Sequence, residues 1–196
     1  LASKKITNNN ELKEKFNKKF PMLNSSKKLI LVTSHRRENF GYNFEQICKA
    51  LKKIASEHEN FQIIYPVHLN PNILNPVNKI LSNIPNIYLI EPQDYLPFVY
   101  LMMRSSIILT DSGGIQEEAP SLNKPVLVMR ENTERPEALK SGTARLIGTQ
   151  SEKICQNVTE LIFNKELYKQ ISLAKNPYGN GDSSDKIVKI LFEEDI

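Results

Sequence analysis

Thr110-Asp111-Ser112-Gly113-Gly114-Ile115-Gln116-Glu117-Glu118-Ala119-Pro120 follows directly on the apolar run Ser106-Ile107-Ile108-Leu109. The apolar run reads as a buried parallel strand, and the segment after the glycines reads as the start of a helix. A strand, a Ser-Gly-Gly turn and a helix N-terminus together make a site for a phosphate. The turn leaves backbone N–H groups free, and the helix dipole favours negative charge there. Gly113 and Gly114 let a diphosphate approach the main chain without Cβ clashes. Glu118 lies about one turn into the helix, within reach of a ribose that follows the phosphates. Taken alone, such a turn also serves as a plain strand-to-helix connection.

Outward from this run, short apolar segments alternate with amphipathic ones. Candidate strands lie at 29–32, 61–65, 87–90, 107–109 and 125–129, with a short one at 144–147. Between them, helical spacing marks 43–58, where Asn43 can cap the start, and then 72–82 and 95–104. Strand–helix alternation at this spacing predicts an α/β fold with a parallel sheet in three layers, Rossmann-like. The near-continuous apolar strands fit a sheet covered on both faces. Beyond residue 150 the pattern turns helical, at 151–163, 165–174 and 183–194, with Ser183 or Ser184 as a cap for the last. Asn176-Pro177-Tyr178-Gly179-Asn180-Gly181-Asp182 is a breaker. A polar helix at 9–20 ends at Pro21. Residues 1–27 thus read as a lead helix and linker, and 28–196 as the main domain.

Of the 196 residues, 40% are hydrophobic and 24% charged, ordinary for a soluble globular chain. No apolar run approaches the roughly 20 residues that span a bilayer, so no membrane partner is expected. The start, Leu1-Ala2-Ser3-Lys4-Lys5, has no apolar core behind it and does not read as a signal peptide. It also lacks a Met, as a piece of a longer chain would. The net charge of +4 comes with lysines near the start that interleave with Asn and Glu. The aromatic residues sit in apolar segments and there is no Trp, so no nucleic-acid partner is expected. Cys48 and Cys155 read as buried free thiols in a reducing, cytoplasmic compartment. Without a CxxC or a compact His/Cys cluster, no metal site is expected.

In an open parallel sheet, ligands bind beyond the carboxyl ends of the strands. His35-Arg36-Arg37-Glu38-Asn39 follows the first strand, His68 the second, the Gly turn the fourth, and Arg130 through Glu137 the fifth. His35 could act as an acid/base or phosphate ligand, or be a hydrogen-bonded loop histidine. His68 has the same two readings, and the two histidines alone lack a third metal ligand. Arg135 could clamp a diphosphate, with Glu131, Glu134 and Glu137 as its ion-pair partners. The segment Tyr95-Leu96-Pro97-Phe98 reads as core, or as an apolar wall for a base. His58 closes a helix and reads as a solvated C-terminal residue.

These blocks, together with Thr33-Ser34, Pro66-Val67-His68-Leu69-Asn70-Pro71 and Thr133-Glu134-Arg135-Pro136-Glu137, occur in one order and spacing. Together they resemble the C-terminal half of the non-hydrolysing UDP-N-acetylglucosamine 2-epimerases, over roughly residues 28–194. The resemblance implies the second domain of a GT-B-type two-domain fold. It implies interconversion of UDP-N-acetylglucosamine and UDP-N-acetylmannosamine, by elimination and re-addition of UDP and without a cofactor. Ser112, Gly113 and Gly114 would hold the diphosphate, Glu118 the ribose and Phe98 the uracil. His35 would be catalytic at the leaving diphosphate, with Arg135 adding charge there. Arg36 and His68 would face the cleft toward a UDP-sugar. The carboxylates that move the C2 proton would belong to an N-terminal domain, in the same longer protein or in trans, and the full-length family implies a homodimer. Two other readings fit the Gly turn: the nucleotide domain of a GT-B glycosyltransferase, or a non-catalytic UDP-sugar-binding remnant. The helix at 183–194 carries Ile187, Val188, Ile190, Leu191 and Phe192, so it should cover its own sheet or drive self-association.

Overall fold

A computed structural model describes residues 1–23, 25–179 and 181–193. The predicted helix end at 194 and position 180 of the predicted breaker lie outside the described residues. Six strands form one sheet: β1 (Lys28–Thr33), β2 (Phe61–Pro66), β3 (Ile87–Ile90), β4 (Ile107–Thr110), β5 (Val126–Val128) and β6 (Ala144–Leu146). Their order is β3-β2-β1-β4-β5-β6. Every neighbouring pair is parallel, so each connection must cross a face of the sheet. The helices are α1 (Ala2–Thr7), α2 (Asn10–Lys19), α3 (Tyr42–Glu57), α4 (Pro71–Leu81) and α5 (Tyr95–Arg104), then α6 (Gly113–Glu118), α7 (Pro136–Lys140), α8 (Ser151–Phe163), α9 (Lys165–Ser172) and α10 (Ser183–Glu193).

Side-chain alternation along the strands builds the layers. In β1, Ile30 and Val32 enter one buried cluster, while Leu29 and Leu31 enter the other. Helices α3, α4 and α8 complete the first cluster through Phe44, Leu51, Ile73, Val77, Ile154 and Val158. Helices α1, α2 and α5 complete the second through Ile6, Phe16, Leu101 and Met102. Both faces are covered, which is why the strand centres are mainly apolar, with buried Gln62 of β2 an exception. The expected three-layer Rossmann-like sheet is the observed one.

Several local expectations are corrected. Helix α3 starts at Tyr42 and is entered through Gly41 at φ 77, a conformation open to glycine. Asn43 therefore sits inside the first turn and caps nothing. The lead segment holds two helices. Asn9 caps α2 by accepting from the Leu12 N–H at 2.9 Å, but α1 is too short and polar for its single buried residue, Ile6, to show a period. Phe16 and Phe20 pack on Tyr100 with ring centroids 5.3 and 6.2 Å away. His58 is half-buried: it lies 5.9 Å from the Phe61 ring and 5.8 Å from the Phe163 ring, with Nε2 3.4 Å from Thr159 Oγ1. Ser183 and Ser184 both lie within α10. Its residues Ile187, Val188, Ile190, Leu191 and Phe192 remain exposed, so it does not cover its own sheet.

Among the described residues no helix is long and apolar enough to cross a membrane. Cys48 and Cys155 are free and buried, as the sequence predicts. Burial, then the charge of Glu45, pushes the Cys48 thiol up to about 12, and burial raises Cys155 as well. For Cys48, a rise from 9.0 to about 12 leaves roughly a thousandth of the usual thiolate. An aromatic disulfide reagent at mildly alkaline pH should therefore leave both thiols unmodified in the native protein and titrate both in denaturant. Rapid release of one equivalent from native protein would contradict this packing.

Candidate functional site

Strand β1 has β2 on one side and β4 on the other. The chain order reverses there, and a crevice opens beyond the carboxyl ends of the two central strands. Thr33 and Thr110 are register partners, and their hydroxyls lie 2.6 Å apart. The loops that follow them leave the sheet side by side.

Asp111 ties these loops together. Its side chain is wholly buried, and its carboxylate accepts from Ser34 Oγ at 2.9 Å. The main-chain N–H groups of His35 and Arg36 each donate to it at 2.9 Å, and Asn39 Nδ2 donates at 3.2 Å. A buried carboxylate needs such donors in place of water. Asn39 Nδ2 also donates to the Met129 carbonyl at 3.2 Å, drawing in the loop after β5. From the end of β2, Tyr65 Oη donates to the Ser34 carbonyl at 2.7 Å. Burial, then the charges of Cys48 and Asp111, holds the Tyr65 hydroxyl well above its ordinary range, so it stays a donor. The His35 backbone is thus fixed while its imidazole remains exposed. That ring stacks on His68, with centroids 5.7 Å apart and planes at 16°. His68 Nδ1 accepts from the Asn70 N–H at 3.1 Å, which leaves the ring proton on Nε2.

The glycine turn differs from expectation in one respect. The Ser112 N–H is not free, because it donates to Thr110 Oγ1 at 2.9 Å. The glycines begin α6, whose first-turn N–H groups have no partner within the helix. A Cβ added at Gly113 would lie 3.6 Å from an Arg36 guanidinium nitrogen and 3.7 Å from the Arg135 guanidinium. Both guanidiniums thus lie beside the Gly113 main chain, where a Cβ would make ordinary van der Waals contact with them.

Arg135 pairs through Nε with Glu117 of α6, and not with the carboxylates of Glu131, Glu134 or Glu137 as expected. Glu131 and Glu134 lie in the loop before Arg135 and Glu137 lies just after it in α7, whereas α6 carries Glu117 across to Arg135. A part-buried relay supports the same contact. The Arg135 N–H donates to Thr133 Oγ1 at 3.1 Å, Thr133 Oγ1 donates to Gln116 Oε1 at 2.7 Å, and Gln116 Nε2 donates to the Ser112 carbonyl at 3.1 Å. Glu134 instead takes two bonds from buried Arg130, at 2.6 and 2.9 Å, and lies 3.7 Å from Arg36. Arg130 holds the Glu134 carboxyl down at about 2. That folded value lies below the ordinary one, so the stability it contributes is present above pH 4.5 and is lost as pH falls through about 2. Glu134 is half exposed, which keeps the contribution small.

His35, His68, Phe98 and Ser112 line one open cleft of about 230 Å³, with Pro66 and Ile115. Arg36 and Arg135 flank it at Gly113. Glu118 stands apart, on a neighbouring pocket of about 170 Å³ shared with Tyr95 and the start of α1. There Tyr95 Oη donates to Glu118 Oε2 at 2.8 Å. Among the described residues, no three His, Cys, Asp or Glu side chains group as metal ligands do. Asp111, Gln116 and Thr133 frame the site with no individual role read for them from sequence, and Tyr95, expected with its segment in the core or on an apolar wall, is exposed instead. The available signal for Asp111 is an acid directly after a short strand whose run Ile107-Ile108-Leu109 is apolar, a place open only to a fully bonded carboxylate. Gln116 and Thr133 carry no local signal.

Asp111→Asn keeps the shape but turns an amide NH₂ toward donors that need an acceptor. It should cost about 2–3 kcal/mol in urea unfolding, the cost of leaving buried partners of a charged group unpaired. A change within the scatter of surface variants would remove Asp111 from this role.

Known proteins share both the sequence and the fold. The family described as UDP-N-acetylglucosamine 2-epimerase matches residues 2–192. The UDP-N-acetylglucosamine 2-epimerase of Salmonella typhimurium is 56% identical over 187 residues, which cover 95% of this chain and 50% of that protein. The crystal structure of the Neisseria meningitidis UDP-GlcNAc 2-epimerase bound to UDP-GlcNAc superposes with a TM-score of 0.94 at 45% identity, covering 98% of this chain and 52% of that one. The Methanocaldococcus jannaschii enzyme in complex with UDP-GlcNAc and UDP superposes with a TM-score of 0.76 at 32% identity, covering 97% of this chain and 50% of that one. The chain spans about half the length of the curated relatives it matches. The chain belongs to the UDP-N-acetylglucosamine 2-epimerase family and corresponds to its C-terminal portion.

Proposed function

We propose that this chain supplies the UDP-binding, leaving-group half of an epimerase that interconverts UDP-N-acetylglucosamine and UDP-N-acetylmannosamine. The observation that carries this reading is the pair of guanidiniums, Arg36 and Arg135, beside the bare main chain of Gly113 at the central crevice. Two cations and a helix start suit a diphosphate better than a neutral ligand. Relatives bound to UDP-GlcNAc, and to UDP-GlcNAc with UDP, support the same ligand.

The diphosphate rests on Ser112, Gly113 and Gly114, the uracil packs by Phe98, and the ribose diol meets Glu118. The reaction removes the C2 proton and breaks the C1–O bond, so UDP departs and a 2-acetamidoglucal remains. UDP then re-adds at C1 as C2 takes a proton on the other face. His35 and Arg135 stabilise the charge that builds on the departing diphosphate, and Arg36 and His68 face the sugar side. The base and acid for C2 come from an N-terminal domain, in the same longer protein or in trans, and the complete enzyme works as a homodimer. Two free buried thiols and a nucleotide-sugar substrate suit the cytoplasm.

Binding energy without a positioned base leaves the C–H barrier nearly unchanged. Incubated alone in deuterated water with UDP-N-acetylglucosamine, the chain should place no deuterium at C2, and adding the N-terminal portion of a relative should start exchange. Exchange by the chain alone would mean that it carries its own base. Glu118→Ala should weaken UDP roughly tenfold while affecting inorganic pyrophosphate far less. Equal losses for both ligands would assign Glu118 to the fold and not to ribose.

A further inference from the structure

We infer that Tyr95 is the positioning residue for ribose recognition: its hydroxyl orients the Glu118 carboxylate toward the 2′,3′-diol of the nucleotide. The inference rests on the ribose reading of Glu118 given above. Glu118 ends α6, is half-buried, and has several side-chain torsions to settle. Tyr95 Oη reaches one carboxylate oxygen at 2.8 Å and leaves the other oxygen, and the remaining lone pairs, for two hydroxyls. A neutral donor suits this task. A lysine or arginine there would take the carboxylate as an ion-pair partner and compete with the diol. The hydrogen bond to Glu118, more than burial, raises the Tyr95 hydroxyl above its ordinary value and keeps it a donor near neutral pH.

Placement points the same way. Tyr95 opens α5, and Phe98 follows three residues later, so the two are neighbours on the helix surface. Phe98 lines the cleft with His35 and Ser112, while Tyr95 and Glu118 share the adjoining pocket. One turn of α5 thus carries both the wall for the base and the group that sets the ribose acceptor. The Tyr95 side chain is 59% exposed, so its hydroxyl is not needed for packing.

The test is calorimetric titration of the whole chain and its Tyr95→Phe variant with UDP and with 2′,3′-dideoxy-UDP. The unmodified chain should prefer UDP. Tyr95→Phe should lose about threefold to tenfold in UDP affinity, the worth of one hydrogen bond. Its dideoxy-UDP affinity and melting temperature should stay unchanged, so discrimination shrinks by the same factor. Equal weakening of both ligands, or undiminished discrimination, overturns the role of Tyr95. An unmodified chain that binds both ligands alike overturns the ribose reading of Glu118, and this inference with it, before any variant is measured.

Discussion

The site depends on one buried negative charge. The Asp111 side chain is wholly buried, so its stability depends on donors that the loop after β1 brings to it. That requirement fixes the path of residues 34–39 more tightly than any apolar contact would. The loop has little choice: released from Asp111, two main-chain N–H groups and two side chains would lose partners together. Because Asp111 directly precedes Ser112, the same charge sets the distance between the His35 segment and the glycine turn. Positive groups then gather around a turn whose nearest carboxylate is already fully engaged.

A second layer of charge orders the arginines. Buried Arg130 binds Glu134 and Glu38, which keeps Glu134 mainly occupied and only loosely beside Arg36. Arg135 has its own carboxylate, Glu117. Each half-buried guanidinium is therefore restrained by a neighbouring carboxylate, and Arg135 Nη1 also donates to the Glu134 carbonyl at 3.1 Å. An arginine held in this way loses less side-chain freedom when it meets an anion than an unrestrained one would.

Much of this was legible in the sequence, for identifiable reasons. The sheet was readable because its strands are covered on both faces and so carry near-continuous apolar runs at 29–32, 61–65 and 107–109, broken only by Gln62. The grouping of His35, His68, Phe98 and Ser112 followed from the rule that parallel sheets bind ligands at their carboxyl edge. What stayed hidden depends on distant partners. No local pattern says that Asp111 gathers Ser34 and Asn39, that Gln116 reaches Thr133, or that Arg135 prefers Glu117 to the acids beside it. Helix α1 has only six polar-rich residues and so shows no period, and Asn43 is no cap because Gly41 supplies the turn.

The two-sided burial of β1 has a consequence for how such a chain can change over generations. Leu29 and Leu31 serve one layer while Ile30 and Val32 serve the other. Exchanges among branched aliphatic residues keep both assignments. Inserting or deleting one residue in β1 would send every side chain to the opposite layer and shift His35 by one place relative to Asp111. Lineages carrying this strand can drift in its letters but not in its length, and insertions should collect instead in the exposed turns at the far end of the sheet.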